Sequence, residues 1–200
     1  MLKIALLAGL VAPALAVIAP ATAHAAAKPC AYGTWRLLGE QVHISGVNGQ
    51  IKWAEHAWGA AGIKLTLSTG KAKYNFTGSA KEYASGTDRT GTRFGYWDRF
   101  WGTMTEKAKV TGTTKGLFTS KPHSATGNAR GQSAVTYPTY HLYPSFNLVA
   151  DTRNNGATTL YPDRAAYTCT HTSLTISASE KGHNTSGTWK STFRLTYRRA

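Results

Sequence analysis

The chain has 200 residues and a formal net charge of +14, because 23 Lys and Arg outnumber 9 Asp and Glu. Its 20 Gly and many Thr favour strands and tight turns over long helices, and the lack of a run of about 18 apolar residues beyond the first 25 excludes a later membrane-spanning helix. The positive charge fits partners such as nucleic acid, anionic lipid or acidic cell-wall polymers, or it simply keeps the protein in solution.

The first 25 residues have the pattern of an export signal. Residues 1–3 form a short basic start, residues 4–18 are apolar, and Ala23-His24-Ala25 is a cleavage site of the A-x-A type. The alanine motifs at 21–23 and 25–27 are alternatives. We therefore expect a signal peptide over residues 1–25 that is removed, which leaves a secreted, extracellular protein.

The remaining residues, 26–200, have the length of a single domain. Only two cysteines occur, Cys30 and Cys169, and in an oxidising compartment they are expected to form one disulfide. Closing a loop of about 140 residues contributes roughly 4–5 kcal/mol by chain entropy. A metal pair or a catalytic thiol is the alternative, but two isolated cysteines show no ligand spacing.

The first elements of this domain are a strand and a short helix. Residues 32–38 are predicted as a strand, and residues 50–61 as one short helix. The helix is favoured because Ile51, Ala54 and Trp58 fall on one side of it.

The clearest signal is a β-hairpin over residues 63–77. Apolar residues alternate with polar ones on both sides of a turn at residues 69–70. This turn places Leu67 opposite Ala72 and Leu65 opposite Tyr74, with all four on one face. A slip of one residue would expose the apolar side chains, so the pattern determines the register.

Residues 94–101 hold five aromatic residues out of eight. As one helical turn this segment would stack Trp97 under Trp101, and as a strand it would have aromatic side chains on both faces. It is either a hydrophobic plug over the end of a barrel or sheet, or a wall that binds a flat apolar ligand.

The C-terminal half is predicted as further strands and turns. The sequence predicts a hairpin over 104–120. Because of Pro138 and Pro144, residues 137–149 are predicted as an edge strand or two short pieces. Further along, strands are predicted at 164–170, 173–178 and 189–198, and loops at 152–163 and 180–187. About eight to ten strands joined by short turns predict an all-β fold, a single antiparallel up-and-down β-barrel with one or two short helices. A β-sandwich is the alternative.

Gly33-Thr34-Trp35 near the mature N-terminus and a basic residue on the last strand, Arg194 or Arg198, resemble the pattern of calycin or lipocalin-like barrels. The resemblance implies a cup with an interior site, closed at one end by Trp35 packed against the basic side chain, for which Arg194 is the first candidate. The cysteine pair followed by Leu174 and Ile176 is similar to small exported proteins of high-GC Gram-positive bacteria whose activity is unassigned.

Local motifs for catalysis and cofactor binding are missing from the sequence. It contains no nucleophile elbow, P-loop, dinucleotide fingerprint or zinc-protease motif, and its histidines show no metal spacing; haem binding through His141 or His171 is a remote alternative. The carboxylates are scattered, and only Glu55-His56 and Asp98-Arg99 are local pairs. We expect no enzyme activity, no cofactor and no metal.

Three functional hypotheses follow. The first is a secreted non-enzymatic protein whose barrel holds an apolar or aromatic ligand in a cavity. Its predicted ligand-binding residues are Trp53, Trp58, Tyr74, Phe76, Tyr96, Trp97, Phe100 and Trp101. The second is a cationic protein that binds cell-wall or other polyanions or a membrane surface, or that inhibits a secreted enzyme, through clustered basic residues on one exterior face. The third is a hydrolase in which two acidic groups, or a Ser-His pair, converge in a cleft. We expect a monomer without a specific nucleic-acid partner.

Overall fold

The structure is a computed structural model that describes residues 28–184 and 187–200. The predicted signal peptide lies outside these residues. Fourteen strands and one helix occur in the described part of the chain. They are β1 (Gly33–Asn48), β2 (Ile51–Gly59), β3 (Lys64–Ser68), β4 (Lys71–Asn75), β5 (Glu82–Thr87), β6 (Arg93–Trp101), β7 (Thr103–Thr111), β8 (Lys115–Gly127), β9 (Arg130–Tyr137), β10 (His141–Leu142), β11 (Phe146–Asn147), α1 (Leu148–Asn155), β12 (Arg164–Cys169), β13 (Ser173–Asn184) and β14 (Gly187–Arg199).

Eight of the strands close an antiparallel barrel, which confirms the predicted fold class. They are β1, β3, β4, β7, β8, β12, β13 and β14, and each pairs with the next in this order, with β14 returning to β1. The barrel strands are therefore connected up and down in chain order. The other strands are insertions between them.

The predicted hairpin forms β3 and β4 with the predicted register. Leu65 lies opposite Tyr74 and Leu67 opposite Ala72. All four are buried in the barrel core, so the alternation in the sequence correctly separated the interior from the exterior.

The inserted strands form a second region that we call the flanking sheet. It consists of β2, β5, β6, β9 and β10, which follow one another outward from the C-terminal half of β1. On the other side of β1 it includes the N-terminal half of β14 and the C-terminal half of β13. The long strand β1 joins both regions, because its residues 33–36 pair with β3 while residues 40–48 pair with β2.

Residues 50–61 are not a helix. They form strand β2, paired with β1 on one side and β5 on the other. The helical spacing of Ile51, Ala54 and Trp58 was misleading, because all three are exposed while Ala57 is buried. Pairing on both sides satisfies the backbone of this segment and overrides its weak helical pattern.

Two predicted loops also differ from the structure. Residues 180–184 continue strand β13, where Lys181 pairs with Lys190 and Gly182 with Trp189. Residues 148–155 form helix α1, whose first turn is capped by Asn147, which accepts a hydrogen bond from Ala150 N at 3.0 Å. Within residues 137–149, predicted as an edge strand or two short pieces, the structure has two short strands, β10 and β11.

One end of the barrel is closed by the disulfide and an arginine. Cys30 and Cys169 form the predicted disulfide, with Cα atoms 6.1 Å apart. Trp35 is fully buried, and the guanidinium over its ring, at 3.8 Å, belongs to Arg199. Arg194 is exposed on the outside, so its predicted role in closing the barrel was wrong. Along β14 only every second residue faces the interior, so Arg199 shares the inner face with Leu195 and Tyr197, whereas Arg194 faces outward.

The barrel interior is filled with side chains. The largest fully buried ones include Trp35, Tyr74, Phe76, Phe118 and Tyr197. At the other end of the barrel, the loop after α1 adds Tyr161, whose ring meets Tyr74 and Phe76 edge-on. The described helix is far too short and polar to cross a membrane.

Candidate ligand site on the flanking sheet

The inner face of the flanking sheet continues the face of β1 that lines the barrel core. A small apolar cluster lies at its centre, formed by Val42, Ala57 and Ala84 on the neighbouring strands β1, β2 and β5. Tyr96 on β6 and Phe193 on β14 pack against the two sides of this cluster. Because Val42, Ala57 and Ala84 have small side chains, this part of the face forms a shallow depression between the aromatic side chains of Tyr96 and Phe193.

A cavity of about 430 Å³ lies at the outer end of this face, and we call it the rim cavity. Its lining is formed by Ile44, Trp53, Glu55, Thr87, Asp88, Arg89, Thr90 and Phe94. Trp53 comes from β2, Phe94 from β6 and Ile44 from β1, so three strands supply its apolar surface. This volume suits a small organic molecule.

Trp53 is positioned by a glycine on the neighbouring strand. It pairs with Gly46 of β1, where a side chain would come within 2.6 Å of the Trp53 ring. On the other side of Gly46, Trp189 of β14 lies beside Gly182 in the same way. The two glycines let the tryptophan rings lie against the sheet rather than stand off it.

One side of the rim cavity is polar. Tyr96 donates a hydrogen bond from its hydroxyl to Glu55 Oε1 at 2.7 Å. Partial burial, and then Glu55 itself, raise the pKa of Tyr96, so the phenol stays protonated and remains the donor. The carboxyl group of Glu55 lies next to the apolar surfaces of Trp53 and Phe94 in the cavity lining.

The turn between β5 and β6 forms one rim of the cavity. Asp88 accepts hydrogen bonds from Thr90 N at 2.8 Å and from Thr92 N at 2.9 Å. The Thr90 hydroxyl also donates to Asp88 Oδ1 at 2.7 Å and contributes most to lowering the pKa of Asp88, and the two backbone bonds lower it further. The ordered turn places the guanidinium of Arg89 over the Trp53 ring, 5.2 Å from its centre.

Three carboxyl groups lie along a row at the inner end of the same face, and we call them the carboxyl row. Glu40 of β1 is followed across the sheet by Glu82 of β5 and Asp98 of β6, with Gly59 between the first two. Asp98 accepts a hydrogen bond from Ser133. Burial is the main cause that raises the pKa of each of the three groups.

Glu40 and Glu82 are within hydrogen-bonding reach of each other. Burial raises the pKa of Glu40 to about 7, and the pKa of Glu82 is raised well above its usual value by burial and by the charges of Glu40 and Asp98. Both carboxyl groups therefore hold a proton to higher pH than exposed carboxyl groups do. Thr159 from the loop after α1 covers the pair and donates to Glu40 Oε1 at 2.5 Å, and only 2% of Glu40 is exposed.

The structure brings together few of the residues predicted to bind a ligand. Trp53 and Tyr96 lie on the inner face of the flanking sheet, as described above. Tyr74, Phe76 and Phe100 belong to the packed core.

The other predicted ligand residues lie away from the inner face. Trp58 and Trp97 are on the outer face of the flanking sheet, where Trp58 stacks with Tyr83 and Lys81 lies 3.6 Å above the Trp97 ring. Trp101 is half-buried at the end of β6.

The two local charge pairs of the sequence do not form. Neighbours in a strand point to opposite faces. Glu55 therefore faces Tyr96, while His56 stacks on His43 of β1 with ring centres 4.4 Å apart. Asp98 likewise turns inward while Arg99 is exposed.

Sequence reasoning missed most of the inner face. Glu40 lies on β1, whereas Glu82 on β5 and Phe94 on β6 are more than 40 residues further along the chain. No local sequence pattern links Glu40 to the other two. Trp53, Glu55 and Ala57 occupy alternate positions, and this period of two indicates strand β2. The helical spacing of Ile51, Ala54 and Trp58 led to the opposite prediction. No group of three potential metal ligands occurs in the described ranges, and His141 and His171 are exposed.

Comparison with known proteins adds no assignment. No protein-family model matches the chain, and neither a curated protein nor a solved structure shows a significant match to it.

Proposed function

We propose that this is an exported, non-enzymatic binding protein that holds a small flat ligand in the rim cavity of the flanking sheet. The observation that carries the proposal is the combination of two aromatic side chains, Trp53 and Phe94, with the carboxylate of Glu55 around one cavity of about 430 Å³. Such sites combine mostly apolar walls with a few polar groups that orient the ligand. The ligand lies outside the barrel, because the barrel core is filled.

The chemistry of the cavity favours an aromatic ligand with a positively charged group. The flat ring would lie against Phe94 and the half-buried Trp53, beside the Arg89 guanidinium. An ammonium group would pair with Glu55, whose orientation is fixed by the hydrogen bond from Tyr96. The cavity lining holds two carboxyl groups, Glu55 and Asp88, and one guanidinium, Arg89, so its formal charge favours a cation over an anion.

The carboxyl row is the feature that a hydrolase would need, because glycosidases use two facing carboxyl groups. Its geometry supports a binding protein better. Glu40 is only 2% exposed and accepts a hydrogen bond from Thr159, so it is not accessible to a sugar and a water molecule. The row therefore forms the polar floor of the inner face.

Export is part of the proposal because two features agree with it. The N-terminal sequence has the three regions of a signal peptide, and a disulfide joins the two cysteines of the domain. The buried first-strand tryptophan under an arginine from the last strand agrees with the barrel-closing arrangement that the calycin-like resemblance implies.

The binding proposal is tested by nuclear magnetic resonance titration with two indoles of opposite charge. Tryptamine is a cation and indole-3-acetate an anion, while the ring is the same. We expect tryptamine to shift the Trp53 indole NH signal with a dissociation constant on the order of 1 mM, as its small size allows, and indole-3-acetate to bind at least tenfold more weakly. Glu55→Gln should remove most of this difference.

The matched control uses the same strand. Trp53→Ala should abolish binding, whereas Trp58→Ala, on the outer face of β2, should leave it unchanged. If neither indole shifts the Trp53 indole NH signal, or if Trp53→Ala and Trp58→Ala bind tryptamine equally well, the rim cavity is not the binding site. Equal binding of both indoles would refute the proposed charge of the ligand.

A further inference from the structure

Seven exposed lysines cover one side of the barrel, and we call this surface the lysine face. They lie on the outward positions of four consecutive barrel strands, β3, β4, β7 and β8. The seven are Lys64, Lys71, Lys73, Lys107, Lys109, Lys115 and Lys121. The only acidic residue in these four strands is Glu106, which is buried inside the barrel.

Three of these lysines are directly opposite one another. Lys71 of β4 pairs with Lys107 of β7, and Lys107 pairs with Lys121 of β8. Since neighbouring strands are about 4.8 Å apart, three positive charges line up across about 10 Å. Like charges directly opposite each other destabilise a sheet, so this arrangement has a folding cost.

The usual structural reason for lysines on strands does not apply here. Lysine often protects an exposed sheet edge from pairing with another chain. Strands β4 and β7 are hydrogen-bonded on both sides within the closed barrel. A simple need for solubility would also be met by scattered charges.

We propose that the lysine face binds a flexible linear polymer with repeated phosphate groups and no stacking bases. Lysine is a compact point charge that suits phosphate, whereas carboxylates are better recognised by the bidentate fork of arginine. The side chains between the lysines are hydroxyls, such as Thr66 and Thr105, which can donate hydrogen bonds to phosphate oxygens.

The face lacks the features that nucleic acid requires. Proteins that bind single strands stack bases on aromatic side chains, and none of the outward positions of β3, β4 and β7 is aromatic. The helix of the described residues, α1, contacts β8, β9 and β11, and Lys71 and Lys107 lie on β4 and β7 rather than on a helix that could enter a groove.

The lysine face ends at a cavity of about 670 Å³ between β8 and the segment after α1. This cavity is lined by Lys107, Lys121 and His123. Asp163 is the acidic residue in its lining. We infer that the polymer runs across Lys71, Lys107 and Lys121, and that Asp163 marks the end of the binding surface.

The test measures binding of long-chain inorganic polyphosphate to the full mature protein at several salt concentrations. In one variant Lys71, Lys107 and Lys121 are all replaced by Gln. In the matched control Lys52, Lys181 and Lys190 are replaced by Gln, which removes the same charge and one opposed pair, Lys181 and Lys190. Circular dichroism and thermal melting establish that both variants are folded.

We expect the first variant to lose about 100-fold in affinity at 0.1 M salt, and its slope of log affinity against log salt to become shallower by about 2, because each lost phosphate contact removes about 0.7. The control should lose less than fivefold. Poly(dT) and polyglutamate should bind more weakly than polyphosphate to the unchanged protein.

Three results would overturn the proposal. Equal losses in both variants would mean that net charge alone attracts the polymer. Tighter binding of poly(dT) would identify a nucleic-acid surface, and binding of polyglutamate as tight as that of polyphosphate would refute phosphate recognition. Binding of tryptamine to the rim cavity is an independent property and should be the same in both lysine variants.

Discussion

At the scale of single residues, the most unusual group in the barrel is Glu106. Only 1% of it is exposed, and both of its carboxyl oxygens lack a hydrogen-bond partner within the described residues. Ser120, whose hydroxyl lies close enough to lower its pKa, donates to Pro162 O at 3.2 Å instead. Burial dominates and raises the pKa of Glu106 to about 7.

This pKa has a consequence for the pH dependence of stability. The folded state holds a proton on Glu106, and by the same argument on Glu40, up to about pH 7, whereas in the unfolded chain the carboxyl groups release it near pH 4.5. Between these values the folded state binds more protons, so the free energy of unfolding falls as pH rises through this window. The stability that depends on the neutral carboxyls is fully present below pH 4.5 and is lost above about pH 7.

We therefore predict that Glu106→Gln is more stable than the original protein at pH 8, by about 1–3 kcal/mol, because the amide needs no proton to be neutral. At pH 4.5 the difference should be small. Urea unfolding at the two pH values measures this. A loss of stability at pH 8 would show that Glu106 is ionised and paired in the folded protein, and an equal stabilisation at both values would show that its pKa is not raised.

Arg199 shows how a single position can be misjudged by its neighbours in sequence. Its guanidinium donates to Tyr32 O at 2.9 Å and to Cys30 O at 3.2 Å while it covers the Trp35 ring. It thereby ties the last residue of β14 to the segment before β1, next to the disulfide. Arg194 and Arg198 have the same chemistry, but their side chains point outward.

At the scale of elements, the opposed lysines of β4, β7 and β8 make a prediction about sheet stability. Lys107 lies between two like charges, whereas Lys73 lies opposite Thr66 and Thr105. Lys107→Thr should raise the free energy of unfolding by about 0.5–1 kcal/mol, because it removes two repulsions and adds a good strand former.

Lys73→Thr is the matched control for this change. It makes the same substitution on a neighbouring strand without relieving a direct repulsion, and we expect an effect within about 0.3 kcal/mol. The gain from Lys107→Thr should shrink in 0.5 M salt, since screening weakens repulsion between exposed charges. Equal gains at the two positions would mean that strand propensity, rather than charge, is responsible.

At the scale of the whole molecule, the two regions are held together unequally. The barrel encloses one large cluster of buried residues, whereas the buried cluster of the flanking sheet has three members, Val42, Ala57 and Ala84. Apolar burial is the main favourable term in folding. The flanking sheet should therefore open at a lower free energy than the barrel.

Hydrogen exchange of two comparable strands tests this expectation. Strand β4 is paired on both sides by β3 and β7, and β5 on both sides by β2 and β6. They differ in the core beneath them, since β4 packs Tyr74 and Ala72 into the barrel while β5 packs Ala84 into the small cluster. We expect β5 amides to exchange at least tenfold faster than those of β4. Equal protection would show that the two regions unfold as one unit.

The sequence by itself determined those features that depend on neighbours in the chain. The β3–β4 hairpin and its register followed from strict alternation around a glycine turn, and the all-β class followed from many short alternating segments. The disulfide followed because Cys30 and Cys169 are the two cysteines available. In each case the local pattern and the tertiary contacts favour the same structure.

Only the tertiary structure decided which surfaces meet. Residues 50–61 became strand β2 because β1 and β5 pair with both of its edges, and neither pairing can be read from the segment itself. The carboxyl row, the rim cavity and the opposed lysines all consist of residues on neighbouring strands that are distant in the chain. Their proximity is set by the order and register of the strands, and a shift of one residue would turn each of these side chains to the other face of the sheet.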